Sequence, residues 1–151
     1  MTVDVSMDQP TSGRRDGHEH VLPARVYWED TDASGIVYHA NYLRFFERGR
    51  SDSLRVLGLG QRGLLEAGLA FVVRAMTLDF RKPARLDDAV EIRSSVAQIS
   101  GATLVMRQRL LRAGDELVTA EVRLACIEPA GRPRRIPRDV AALLATLSPN
   151  S

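Results

Sequence analysis

The sequence holds one cysteine, Cys126, and one lysine, Lys82, and each scarcity excludes something. A single thiol permits no intrachain disulfide and no cysteine-based zinc site, which suits a reducing compartment. With one lysine among 21 basic residues, the positive charge rests on arginine, and 19 acids bring the formal net charge to +2. Interleaved charge of both signs announces no nucleic-acid-binding face. Long apolar runs are missing too: none approaches the ~18 residues of a membrane span. The polar start, MTVDVSMDQPTSGRRDGHEH, lacks the apolar core of a signal peptide. A cytoplasmic protein with no membrane span is therefore expected.

What is present suffices for one self-supporting core. The 151 residues are 44% hydrophobic and 26% charged, ordinary for a globular domain. Residues 1–20 read as a flexible tail, 21–147 as the folded domain and 148–151 as a second tail. His18 and His20 fall in the first tail and read as solvated side chains, so no metal site is expected.

Hydrophobic spacing gives an α+β order. A short alternation over Ala24–Asp30 predicts the first strand. Asn41 is placed to cap a long helix whose apolar stripe is Tyr42, Phe45, Phe46, Gly49, Ser53, Val56 and Leu57. Gly49 inside that stripe predicts close approach to a sheet. A short helix near Gln61–Ala67 precedes four strands expected as a meander, for five in all. The cleanest alternation is Val118, Ala120, Val122, Leu124 and Cys126, so Cys126 is a packed side chain. A last helix is expected over Asp139–Leu147. One helix covers one face of such a sheet, which favours a homo-oligomer. Gly58-Leu-Gly-Gln-Arg-Gly63 spells GxGxxG, but it follows a helix, so it reads as a helix stop and loop.

Chemistry concentrates in Tyr27–Tyr42, where Glu29, Asp30, Asp32 and His39 precede a helix N-terminus. Unpaired N–H groups there suit a carbonyl oxygen that becomes anionic, and a nearby carboxylate could attack the carbonyl or activate water. Crowding of the three acids would raise one pKa. The plainer alternative makes Asp30 and Asp32 turn residues, since aspartate bonds readily to nearby backbone. Residue types alone leave both open.

The run Arg25-Val-Tyr-Trp-Glu-Asp-Thr-Asp-Ala-Ser-Gly-Ile-Val-Tyr-His-Ala-Asn-Tyr-Leu-Arg-Phe-Phe-Glu-Arg48 resembles the signature of the 4-hydroxybenzoyl-CoA thioesterase family. More narrowly it is similar to the YbgC-type branch associated with the Tol–Pal system. Lys82-Pro-Ala-Arg-Leu-Asp-Asp88, Cys126-Ile-Glu-Pro129 and Arg134-Arg-Ile-Pro137 add to the likeness, which spans about residues 23–145. It departs at Ala33-Ser34-Gly35, where a second glycine often replaces the serine.

The resemblance implies a hotdog fold, a long central helix wrapped by a five-stranded antiparallel sheet, in homodimers or homotetramers with sites at subunit interfaces. It implies hydrolysis of an acyl-CoA thioester, with acyl carrier protein as another carrier, and no cofactor, coenzyme A being part of the substrate. By position Asp32 is the catalytic carboxylate, nucleophile or general base, and His39 orients substrate or assists proton transfer. Coenzyme A carries phosphates that arginine forks suit, so Arg132, Arg134, Arg135 and Arg138 become candidate contacts, Arg134 and Arg135 foremost. Against that stands a solvated basic loop. Two other readings compete: a dehydratase or hydratase on the same fold, and a non-catalytic partner of acyl carrier protein or of the Tol–Pal system.

Overall fold

The computed structural model describes residues 8–149. Its strands are β1 (Arg14–Asp16), β2 (Glu19–Arg25), β3 (Ala70–Phe80), β4 (Ala89–Ser100), β5 (Thr103–Arg112) and β6 (Asp115–Ile127). The helices are α1 (Tyr42–Val56), α2 (Gln61–Glu66) and α3 (Arg138–Ala145). The strands form one antiparallel sheet in the order β1-β2-β4-β5-β6-β3. α1 packs across β2, β4 and β5, the hotdog arrangement that the resemblance implies.

β4 and β6 follow from alternation. On β4, Val90, Ile92 and Val96 are buried while Arg93 lies on the other face in ion pairs with Asp16, Glu19 and Glu91. On β6, Val118, Ala120, Val122, Leu124 and Cys126 all face the core. Gly101 (φ 61°) opens the β4–β5 turn, and Ala113 (φ 50°) with Gly114 (φ 82°) makes the β5–β6 turn, whose positive φ angles match the right-handed twist of the strands that a two-residue hairpin joins. α1 contributes Phe45 and Phe46, both essentially inaccessible to solvent. Burying rings of that size is worth about 1.5–3 kcal/mol each. Gly49 permits the close docking: a Cβ there would meet Ile92 Cγ2 at 2.6 Å.

Four expectations need correction. The sheet has six strands, not five, because Arg14–Asp16 pairs with Glu19–Arg25 across a turn at Gly17 (φ 62°). The stretch 1–20 is therefore not a tail throughout; residues 1–7 of it, and 150–151 of the second tail, lie outside the described residues. No apolar period marked β1 because its three residues are all exposed, held by backbone pairing and by the Asp16–Arg93 ion pair. The first long strand begins at Glu19, and Trp28–Asp30, expected as strand, is a 3-10 turn. Only β4, β5 and β6 form a meander; β3 crosses the sheet to pair with β6 and becomes an edge.

His20 belongs to this structured region too. Its ring is 1% exposed, and one ring nitrogen, Nε2, lies 2.6 Å from the Ser12 carbonyl oxygen.

Candidate active site

Residues 26–41 join β2 to α1 as an irregular loop held at many points. Val26 donates to the Asp88 carbonyl (2.9 Å) and Val37 to that of Ala84 (2.9 Å), tying the loop to the β3–β4 connection. Thr31 bridges Val37, and Ile36 bridges Arg85. The tip between them is a turn: the Asp32 N–H donates to the Ile36 carbonyl (2.9 Å), and Gly35 takes φ 80°, a conformation that favours glycine.

Asp32 is exposed at that tip. Its Oδ1 accepts from the Ser34 backbone N–H (2.8 Å) and hydroxyl (2.6 Å). The Ser34 hydroxyl, then the Ser34 N–H, hold the Asp32 carboxyl below its ordinary value. The expected upward shift from crowded acids does not occur at Asp32: bonds from Ser34 favour the ionised form. An anionic oxygen is therefore presented to solvent at neutral pH.

His39 follows in a 3-10 turn, His39–Asn41, that runs into α1. Its exposed ring packs beside Tyr38 (centroids 4.7 Å apart) and meets the edge of Phe80 at 6.3 Å. His39, Ile36, Val37, Tyr42, Phe80 and Lys82 line a cleft of about 340 Å³ that is mostly apolar. The Tyr42 hydroxyl accepts from the Ala84 N–H (3.0 Å), which fixes the cleft floor to the β3–β4 connection. One loop thus brings the two sequence-predicted residues to one region. His39 borders the cleft directly, and Asp32 is one backbone hydrogen bond from Ile36 on its wall. Asp32 bonds to Ser34, not to His39.

The arginine candidates lie elsewhere. Ile127 bridges Pro133, Arg134 donates to the Cys126 carbonyl (2.9 Å), and Ile136 donates to that of Gly101 (2.9 Å). Those contacts place 132–136 where β6 ends and β3 begins, since Ala70 pairs with Ile127. The cleft sits beside Phe80, at the far end of β3. Eleven residues at ~3.3 Å each set the two ends ~33 Å apart. Arg134 and Arg135 are exposed and, among the described residues, unpaired with any acid, but they do not join Asp32 within one chain.

Two features were missed by sequence reading. Asn41 does not cap α1: its own backbone is helical, and its side-chain amide donates to Asp30 Oδ1 (2.8 Å). Arg50 is 7% exposed and donates to Gln108 Oε1 (3.0 Å), inside a groove bordered by Glu47, Phe71 and Val72. Its place next to Gly49 on the apolar stripe was the available signal. No group of acids, histidines or cysteines suited to a metal ion occurs among the described residues. Likewise no described helix is long and apolar enough to cross a membrane.

The thioesterase-like superfamily profile matches residues 26–144, which contain the whole loop, α1 and the sheet from β3 onward. This chain belongs to the thioesterase-like superfamily. Among relatives of this thioesterase, the acyl-CoA thioester hydrolase YbgC of Escherichia coli is 44% identical over 122 residues, 80% of this chain and 91% of that protein. The acyl-CoA thioesterase YbgC of Haemophilus influenzae is 45% identical over 123 residues, 80% of this chain and 90% of that one. The crystal structure of a probable thioesterase from Bartonella henselae superposes with a TM-score of 0.76 at 45% identity, covering 79% of this chain and 99% of that one. The superfamily thus accounts for both the sheet-wrapped helix and the acid-bearing loop before it.

Proposed function

We propose that this protein hydrolyses acyl-CoA thioesters to a free acid and coenzyme A, with Asp32 as nucleophile or general base and His39 as substrate-orienting or proton-transferring partner. The observation that carries the reading is an ionised carboxylate, held by Ser34 within its own turn, on the loop that walls an apolar cleft at the start of α1. An acyl carbonyl in the cleft would be polarised by backbone N–H donors at the helix start. As general base, Asp32 would take a proton from the water that attacks it, and coenzyme A would leave as its thiol. As nucleophile, Asp32 would attack the carbonyl directly, expel the coenzyme A thiolate and form an acyl-aspartyl anhydride, which water then cleaves to the free acid and the regenerated carboxylate. No cofactor takes part; the acyl carrier is coenzyme A, with acyl carrier protein as a second carrier. A cytoplasmic setting goes with that substrate.

The same reading makes the protein a homodimer or homotetramer. β3 is an eleven-residue edge strand with Val72, Val73 and Phe80 exposed. Edges of that length are normally covered. Two copies paired antiparallel along β3 would set the cleft beside Phe80 of each against the 127–135 segment of the other. Arg134 and Arg135 would then reach the phosphates of a substrate whose thioester lies at Asp32 of the partner.

Thiol release from a panel of acyl-CoAs, and from acylated acyl carrier protein, tests this. Asp32→Asn, checked for an unchanged fold, should lower kcat by about 10²–10⁴-fold. Undiminished turnover in that variant would remove Asp32 from the mechanism, and no turnover on any substrate would sink the hydrolase reading.

A further inference from the structure

We propose that Asp30 and Asn41 act as a positioning pair that sets the geometry of Asp32 and His39, an inference that rests on the catalytic reading above. The two residues close the ends of the loop on each other. Asp30 Oδ1 accepts from Asn41 Nδ2 at 2.8 Å, and Asp30 Oδ2 accepts from the Tyr27 N–H at 2.8 Å. The backbone repeats the closure: the Asp30 carbonyl accepts from the Tyr38 N–H (3.1 Å), and the Asn41 N–H donates to the Tyr38 carbonyl (2.7 Å). Asp32 stands two residues after one member of the pair, and His39 two residues before the other. The clamp therefore sits just behind both.

Burial separates this contact from an ordinary surface turn. Asp30 is 4% exposed and Asn41 9%, whereas Asp32 and His39 are exposed. Buried carboxylates persist when hydrogen bonds satisfy them, and both oxygens of Asp30 are satisfied. Asn41 is fixed in turn, because its backbone already begins the helical path into α1. Its side chain makes no capping bond to α1, being committed to Asp30 instead. The arrangement links the helix start rigidly to a loop whose tip carries the reactive acid. Sub-ångström placement of such an acid decides its rate, and a shift of about 1 Å costs on the order of 100-fold.

Donor and acceptor roles make the pair testable by exchange. Asp30→Asn turns an acceptor toward Asn41 or Tyr27 into a donor, so two N–H groups face each other. Asn41→Asp sets two carboxylates against each other. The double exchange D30N/N41D restores both bonds: the new amide oxygen accepts from Tyr27, and its NH₂ donates to the new carboxylate.

Each single variant, folded by circular dichroism, should lose about 30–100-fold in kcat with KM within about threefold, and the exchange should recover most of the loss. In an Asp32→Asn background, Asp30→Asn should cost clearly less than in the parent, because only the share carried by His39 remains. Full activity in the single variants, or no recovery in a folded double exchange, would overturn the inference. So would an Asp30→Asn effect of undiminished size in the Asp32→Asn background. Should Asp30→Asn fail to fold, Asn41→Ala removes only the cross-link and carries the same kcat and background comparison. Turnover retained by Asp32→Asn alone would instead overturn the catalytic reading, so the two failures stay distinct.

Discussion

The two ends of β3 are built on opposite principles. At the Phe80 end, residues 26–41 have few regular hydrogen bonds but many specific ones, and the proposed catalytic acid and histidine sit on a frame of buried contacts. At the Ala70 end, the 132–135 segment is held through its backbone, and its arginine side chains are exposed to solvent. The difference follows from the work proposed for each. A group that meets a reacting carbonyl must be placed within a fraction of an ångström. A guanidinium that meets a phosphate acts over a longer range and gains from reach.

The comparison can be broken from either side. The largest effect belongs to the framed end, where loss of the Asp32 carboxylate should depress kcat with little change in KM. At the free end the signature should invert. Arg134→Ala/Arg135→Ala should raise KM for acyl-CoA by about tenfold, equivalent to about 1.4 kcal/mol, and leave kcat and the melting temperature unchanged. A truncated acyl-pantetheine thioester, lacking the nucleotide phosphates, should not distinguish the variant from the parent. Equal KM values for acyl-CoA would return those arginines to a solvated loop.

A smaller effect sharpens the view of the framed end. Ser34 bonds hold the Asp32 carboxyl below its ordinary value, so the ionised form persists further into acid. Ser34→Gly removes the hydroxyl and keeps the backbone donor. The acid limb of the kcat/KM profile should then move to higher pH, and an unmoved limb would mean that another group controls it.

The smallest effect lies outside both ends and serves as a control. Burial holds His20 below its ordinary value of 6.5, opposed by the Ser12 carbonyl and Asp52. The unfolded chain therefore binds the proton more readily. Stability should decline as pH falls from about 6.5 through the lowered folded value, and level off below it. The slope of melting temperature against pH in that window should be shallower in His20→Gln; an identical slope would remove His20 as its source. That measurement keeps an acid-induced loss of fold from being mistaken for titration of Asp32.

The same contrast explains what could be read in the sequence. β4, β5, β6 and α1 were legible because period-two and period-3.6 burial leave a direct imprint on residue order. β1 left none, since an exposed edge strand buries nothing. The crossing of β3 was hidden because alternation tells which face of a strand is inward, not which neighbour it pairs with. Asp32 and His39 are candidates that rest on resemblance, while the expectation that Asn41 caps α1, drawn from local preference alone, fails. Its actual partner, Asp30, lies eleven residues away across a loop of no regular period, and no spacing rule joins them.

The placement of β3 also bears on how the chain reaches this state. Arg25 pairs with Ala89, and Ala70 with Ile127, so neither β2 nor β3 has its partner until much later sequence has emerged. A ribosome would deliver α1 and β3 well before β4 and β5 could cover Phe45 and Phe46, and longer still before β6 could pair with β3. Non-local pairing of this kind slows collapse to the native state and prolongs exposure of adhesive surface. The last stretch of β6 is thus the step that commits the nascent chain, and truncation within it should yield aggregates rather than a smaller soluble domain.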